Sequence, residues 1–177
     1  MKKYICIIGA FFIMFSLSGC FSSFGNRIDI LNKETKTEKQ FIKETETQIL
    51  DAIKNNDRGT LKSVFSQKAL SEAKDLEIGL DYLFSLYQGE FLEITNRNHG
   101  VFDHLGTPGR TKEISAYCIF QTDKKTYILN YDFWPIQEAD SSAKGVYTIR
   151  LREYFEGITG KDYGRAGIYH PEWDENS

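Results

Sequence analysis

Asp132 is the side chain best suited to acid–base chemistry, because aromatic residues flank it on the chain. Aromatic neighbours desolvate a carboxyl group and so raise its pKa toward the range that proton transfer requires. Alternate residues of a strand share a face, which places Asn130 and Trp134 beside Asp132. Tyr117 and Ser115 share a face of a second predicted strand. Asp132, as a general base, and Tyr117 are therefore the candidates for acid–base catalysis, and no residue is assigned a catalytic role.

Two other interpretations of the same residues stay open. Asp132 can instead face outward or accept a hydrogen bond from the following loop. In a non-catalytic protein, Asp132, Trp134 and Tyr117 are the candidate binding residues. The alternate residues of this strand are predicted to belong to the core, and they are Tyr127, Leu129, Tyr131 and Phe133.

Other reactive side chains have simpler explanations. His99 and His104 are not at a spacing typical of metal ligands, and no metal site is predicted. Cys118 stands in an apolar run, which favours a buried side chain over a nucleophile. His170 precedes a proline, and packing of the tail accounts for it. No glycine-rich phosphate loop occurs, so no cofactor is predicted.

The N-terminus has the three-part pattern of a secretory signal peptide. Lys2 and Lys3 are positive, Tyr4 to Leu17 is uncharged and mostly apolar, and the stretch ends in Leu17-Ser18-Gly19-Cys20. These four residues resemble the lipobox of bacterial lipoproteins. The resemblance implies that a diacylglyceryl group is first transferred to the Cys20 thiol and that the peptide is then cleaved before Cys20. In that pathway the new amine can be acylated afterwards.

A lipidated Cys20 would hold the protein on the outer side of a bacterial cell membrane through fatty acids such as palmitate. Residues 1–19 are then the signal peptide, 20–37 the lipidated cysteine with a flexible tether, and 38–177 one domain. The alternative is an uncleaved membrane helix, since no charge occurs between Lys3 and Arg27. Against it, the apolar core is shorter than the ~20 residues of a bilayer span.

Composition and cysteine count limit the class of protein. A length of 177 residues indicates one domain, and an aromatic fraction of 14% argues against disorder. A net charge of −3 provides no electrostatic footprint for nucleic acid. Of the three cysteines, Cys6 leaves with the signal peptide and Cys20 carries lipid, so Cys118 has no intramolecular partner. The domain must be stable through its core alone.

Helical periodicity comes first in the chain and strand periodicity follows. The pattern predicts one helix ending before Asn55, a second capped by Asp57, and a third from Ser66 to Gly89. The predicted strands are 91–96 with an extension at 101–105 past a kink at Gly100, then 113–121, 126–134 and 146–154. The predicted class is α+β, with three helices packed on a curved four-stranded antiparallel sheet.

This order of elements resembles the nuclear transport factor 2-like (cystatin-like cone) fold over residues 38–155. A narrower resemblance rests on the segments 131–135, 145–150 and 166–172. They are similar to a family of small clostridial-type lipoproteins that is described only as a domain of unknown function. Relatives of the cone fold place acids, tyrosine and histidine inside the cone mouth to move protons next to a carbonyl group.

Three functions are compatible with these residues. The first is a non-catalytic, lipid-anchored binding module that holds a small apolar ligand or an envelope protein. It would use the cone mouth or the aromatic residues Trp134, Tyr169 and Trp173. The second is a small isomerase- or dehydratase-like enzyme with Asp132 as general base. The third is an immunity or envelope-defence lipoprotein.

Overall fold

The computed structural model describes the backbone of residues 22–155 and 158–167, and the side-chain environment of residues 38–155, 166 and 167. The predicted signal peptide, Cys20, His170 and the aromatic tail lie outside the described residues. The chain divides into two units between Phe41 and Ile42. The sheet belongs to the second unit.

Within the described residues, four helices precede the sheet, and one short 3-10 turn lies between its third and fourth strands. The helices are α1 (Ser22–Lys54), α2 (Arg58–Ser63), α3 (Gln67–Glu72) and α4 (Leu76–Leu86), and the turn is Ser141–Ala143. Asp57 caps α2 by accepting a hydrogen bond from the backbone N–H of Thr60. The predicted third helix is two helices, because Asp75 adopts a left-handed backbone conformation with φ 57°.

Helix α1 begins at Ser22, inside the segment for which the sequence predicts a flexible tether. No glycine or proline occurs between Gly25 and Gly59, and lysine, glutamate and glutamine are frequent there. These residues favour helix even without a regular apolar stripe. Within the described part of the chain, no helix is both long enough and apolar enough to cross a membrane.

The sheet has five antiparallel strands in chain order. They are β1 (Phe91–Leu105), β2 (Arg110–Thr122), β3 (Thr126–Gln137), β4 (Gly145–Phe155) and β5 (Ile158–Gly167). The predicted α+β class is therefore confirmed, but the predicted counts of three helices and four strands are wrong. β1 is continuous through Gly100, and its irregularities lie between Phe91 and Asn96 instead.

β5 has a polar, glycine-rich sequence that does not show strand periodicity. Glycine is required at its end, because Gly167 has φ +113° and a Cβ there would collide with the Tyr147 carbonyl oxygen. The backbones of β4 and β5 approach closely at this point. The strand is defined by pairing with β4, which a single sequence does not reveal.

One face of the sheet packs against the helices of the second unit and forms the core. Tyr127, at the centre of this layer, donates a hydrogen bond from its hydroxyl to the Leu86 carbonyl at 2.8 Å. Arg97 donates from Nε to Glu46 of α1 at 2.9 Å. The predicted core residues of β3 are all buried, which confirms them. The other main core residues are Ile49, Leu61, Leu80, Leu83, Ile114, Cys118, Phe120, Ile149 and Leu151.

Candidate functional site

The face of the sheet that points away from the helices, here called the outer face, carries two rows of polar side chains. Strand pairing aligns Ser115 with Asp132 and Asp132 with Thr148, which we call the aspartate row. The neighbouring arginine row aligns the side chains of Tyr117, Asn130 and Arg150. Directly opposed residues share a face, so both rows project from the same side of the sheet.

The two rows line a cleft of about 320 Å³. Its lining consists of Ser115, Ala116, Tyr117, Asn130, Asp132, Thr148 and Arg150. This volume is at the lower end of the ~300–1,000 Å³ typical of small-molecule sites. Six of the seven lining residues have polar or charged side chains, so the cleft offers many hydrogen-bonding groups.

Glycines stand at both outer ends of the aspartate row. Gly100 of β1 is opposite Ser115, and Gly167 of β5 is opposite Thr148. A Cβ built at Gly100 would meet no atom within 4 Å, so the space on the β1 side of the cleft is open. Asp132 thus lies in the middle of a row of small residues.

The carboxyl group of Asp132 is half-buried, and burial raises its pKa. A hydrogen bond from the Ser115 hydroxyl lowers this pKa, the negative charge of Glu113 raises it, and the positive charge of Arg150 lowers it. Burial is the largest of these causes, and the net direction is upward. A carboxyl group with a raised pKa is suited to hydrogen bonding with a ligand and to proton transfer.

Residues 48–159 match the sequence profile of the family described as a domain of unknown function, DUF5104. The chain belongs to the DUF5104 family. Among curated proteins, none matches it. The matched segment contains every residue that lines the cleft, so the cleft lies within the DUF5104 domain.

The structure brings most of the sequence-predicted site residues of the DUF5104 domain together. Asp132, Tyr117, Ser115 and Asn130 all line the cleft, whereas Trp134 does not. Among the polar lining residues, sequence reasoning missed two, Thr148 and Arg150. Their alternation along β4 places them on one face, but only strand pairing shows that this face adjoins Asp132.

Trp134 forms a separate aromatic pair at the end of β3. Its ring centroid lies 4.5 Å from that of Tyr147, with an interplanar angle of 56°. Its indole N–H is buried and has no hydrogen-bond partner among the described residues. Trp134 therefore contributes to packing on the outer face rather than to the cleft lining.

The other reactive side chains lie away from the cleft. Cys118 is buried on the helix-facing side, and burial raises the pKa of its thiol, in agreement with the predicted core role. Asp103 is held by Arg110 and Lys112, and hydrogen bonding to Arg110 contributes most to lowering its pKa to about 2. Within residues 38–155 and 166–167, no three His, Cys, Asp or Glu side chains form a metal-binding group.

Replacing Asp132 by asparagine is expected to stabilise the fold at neutral pH. The raised native-state pKa means that ionised Asp132 is disfavoured in the folded state relative to the unfolded state, where the pKa is about 3.9. The penalty is absent below the unfolded-state pKa, grows as pH rises above that value, and is complete once pH exceeds the native-state pKa. Melting temperatures of wild type and Asp132→Asn should therefore diverge from pH 4 to pH 7, with the variant higher. Equal melting temperatures at pH 7 would contradict this account.

Proposed function

We propose that this protein is a lipid-anchored binding module on the outer side of a bacterial cell membrane, and that its outer-face cleft holds a small polar molecule. The anchor rests on the lipobox residues Leu17 to Cys20. The binding role is carried by one observation, the convergence of Asp132, Arg150 and four uncharged polar side chains on a cleft of about 320 Å³.

The lining favours a polar ligand over the small apolar ligand that the composition suggests. An apolar ligand would remove water from Asp132 and Arg150 without replacing the hydrogen bonds to that water, and each lost polar contact costs roughly 1–3 kcal/mol. A ligand with its own donors and acceptors avoids this cost. The partial burial of Asp132 also strengthens each polar contact, because water screens it less.

The resemblance to the cone fold supports a ligand-binding role only in part. In that fold the helices and the sheet enclose the site, whereas here core side chains such as Phe120, Tyr127 and Tyr131 fill the corresponding space. The cleft lies on the opposite face. The resemblance therefore supports only the order of helices and strands. The position of the proposed site is inferred from the strand register.

The second candidate function is an enzyme of the isomerase or dehydratase type. The specific observation in its favour is that the desolvated carboxyl group of Asp132 and the phenol of Tyr117 line the same cleft. These groups can act as a base and a hydrogen-bond donor toward a carbonyl compound. This candidate requires turnover of the bound molecule, which a binding module does not.

A ligand screen with an occluded variant tests the proposal. Full-length protein in mild detergent is melted with polar metabolites and cell-wall fragments. At about 100 times the dissociation constant, a ligand should raise the melting temperature by roughly 5–10 °C. Gly100→Phe should abolish the shift, because the new ring enters open space beside Ser115. Glu93→Phe is the matched control, since it adds the same ring to an exposed position on the same strand.

Each result decides between the candidates. A shift in wild type and Glu93→Phe but not in Gly100→Phe supports binding in the cleft. Mass spectrometry of the recovered ligand then distinguishes a binding module, which leaves the ligand unchanged, from an enzyme, which converts it. A shift that survives Gly100→Phe places the binding site elsewhere and contradicts the proposal, as does a screen in which no compound raises the melting temperature.

A further inference from the structure

The outer-face cleft is electrically polarised along the direction of the strands. Arg150 stands in the arginine row, and Asp132 stands in the aspartate row two residues further along β3. Glu113 continues this direction on β2, and its negative charge acts on Asp132. A guanidinium group therefore lies toward one end of the cleft and carboxylates lie toward the other.

The two opposite charges are near neighbours without being directly opposed. Asp132 opposes Thr148 on β4, which makes Arg150 its diagonal neighbour. Diagonal positions on adjacent strands are separated by roughly 7–8 Å. Arg150 has the weakest of the four main effects on the pKa of Asp132, below burial, the Ser115 hydrogen bond and Glu113.

We propose, on the basis of the binding function above, that the cleft takes a small zwitterion of the α-amino acid class. Arg150 binds its carboxylate and Asp132 binds its ammonium group. A zwitterion complements both charges. A simple anion would be repelled by Asp132, and a simple cation would be repelled by Arg150. The diagonal placement of the two side chains favours a ligand whose opposite charges are joined by a short spacer, as in an α-amino acid.

The remaining lining is consistent with a ligand of this size. The side chains of Ser115, Asn130 and Thr148 supply further donors and acceptors. The open space beside Gly100 leaves room for the side chain of an amino acid. The volume of about 320 Å³ suits a single small molecule and not a polymer.

The first test uses wild-type protein and needs no variant. The twenty standard amino acids are titrated into full-length protein in detergent by calorimetry. The tightest binder is then compared with its amide, which lacks the carboxylate, and with its N-acetyl form, which lacks the ammonium group. We expect each derivative to bind at least tenfold more weakly. The inference is overturned if a derivative binds as tightly as the parent amino acid, or if none of the twenty binds at ligand concentrations of about 10 mM.

Variants assign each charge to its partner. Asp132→Asn should weaken the zwitterion at least tenfold and leave the N-acetyl form unaffected, because that form has no ammonium group to lose. Arg150→Gln should weaken the zwitterion and leave the amide unaffected. Glu93→Gln and Lys124→Gln change exposed charges outside the cleft and should keep the wild-type affinity. Equal losses for zwitterion and derivative in either cleft variant contradict the assigned orientation.

Failure of this inference is distinguishable from failure of the binding function. If other polar compounds raise the melting temperature and Gly100→Phe abolishes the effect, the cleft is a binding site. Absence of amino acid binding in the same protein then overturns only the ligand class. If no compound of either screen binds, both proposals are wrong.

Discussion

Replacing Cys20 by serine is expected to abolish incorporation of labelled fatty acid and to block cleavage after Gly19. The reason is chemical, since the thiol is the nucleophile that accepts the diacylglyceryl group in the lipoprotein pathway that the lipobox resembles. The measurement is metabolic labelling with a fatty acid analogue, followed by electrophoresis, which also resolves the larger uncleaved precursor. Loss of label should be complete rather than partial.

The same substitution should weaken membrane attachment, because the uncleaved precursor would be held only by its apolar stretch from Tyr4 to Leu17. Each buried methylene contributes roughly 0.8 kcal/mol, and two or three acyl chains hold a protein far more firmly than one. Cys118→Ala is the matched control, because Cys118 is buried in the core of the domain and has no role in the predicted anchor. If wild type takes up no label, or if Cys20→Ser remains labelled and cleaved, the uncleaved membrane helix replaces the lipoprotein assignment.

The sequence predicted which residues of one strand share a face of the cleft, but it did not predict which residues of different strands lie side by side. Alternation alone correctly placed Asn130 beside Asp132 and Ser115 beside Tyr117. Arg150 was missed because its contact with the site depends on how β3 and β4 are aligned. Alignment is determined by long-range pairing and by a bulge between Asp132 and Phe133, neither of which leaves a local signal.

The fold could be predicted where neighbouring residues determine the local structure. It could not be predicted where contacts between residues distant in sequence determine that structure. Capping by Asp57 and alternation in β3 have clear local causes. The interruption before α4 depends on a left-handed Asp75, a conformation that residues other than glycine adopt only when the surrounding structure fixes it. Pro135, predicted to end the third strand, lies inside β3, next to an irregularity in its pairing with β2. Proline is tolerated at such positions.

The junction between α3 and β4 depends on Gly145 and positions the strand that carries Thr148 and Arg150. Gly145 has φ +129°, and a Cβ there would lie 2.9 Å from the backbone nitrogen of Ser66 and 3.0 Å from its Cα. The Ser66 N–H donates to the Val146 carbonyl at 2.9 Å, and the Val146 N–H donates to the Val64 carbonyl at 2.9 Å. The atoms nearest to a Cβ at Gly145 belong to the backbone, so they cannot move aside as a flexible side chain could.

Gly145→Val is therefore expected to lower the free energy of unfolding by about 3 kcal/mol, through backbone strain and loss of these two hydrogen bonds. The melting temperature in detergent should fall by roughly 6–12 °C. Gly100→Val is the matched control, because the same side chain enters open space on a strand where β-branched residues are favoured, and it should change stability by no more than about 0.5 kcal/mol. Equal melting of the two variants would contradict the role of Gly145. Because β4 carries half of the charged lining, Gly145→Val should also weaken any ligand bound at the cleft, even below its own melting temperature.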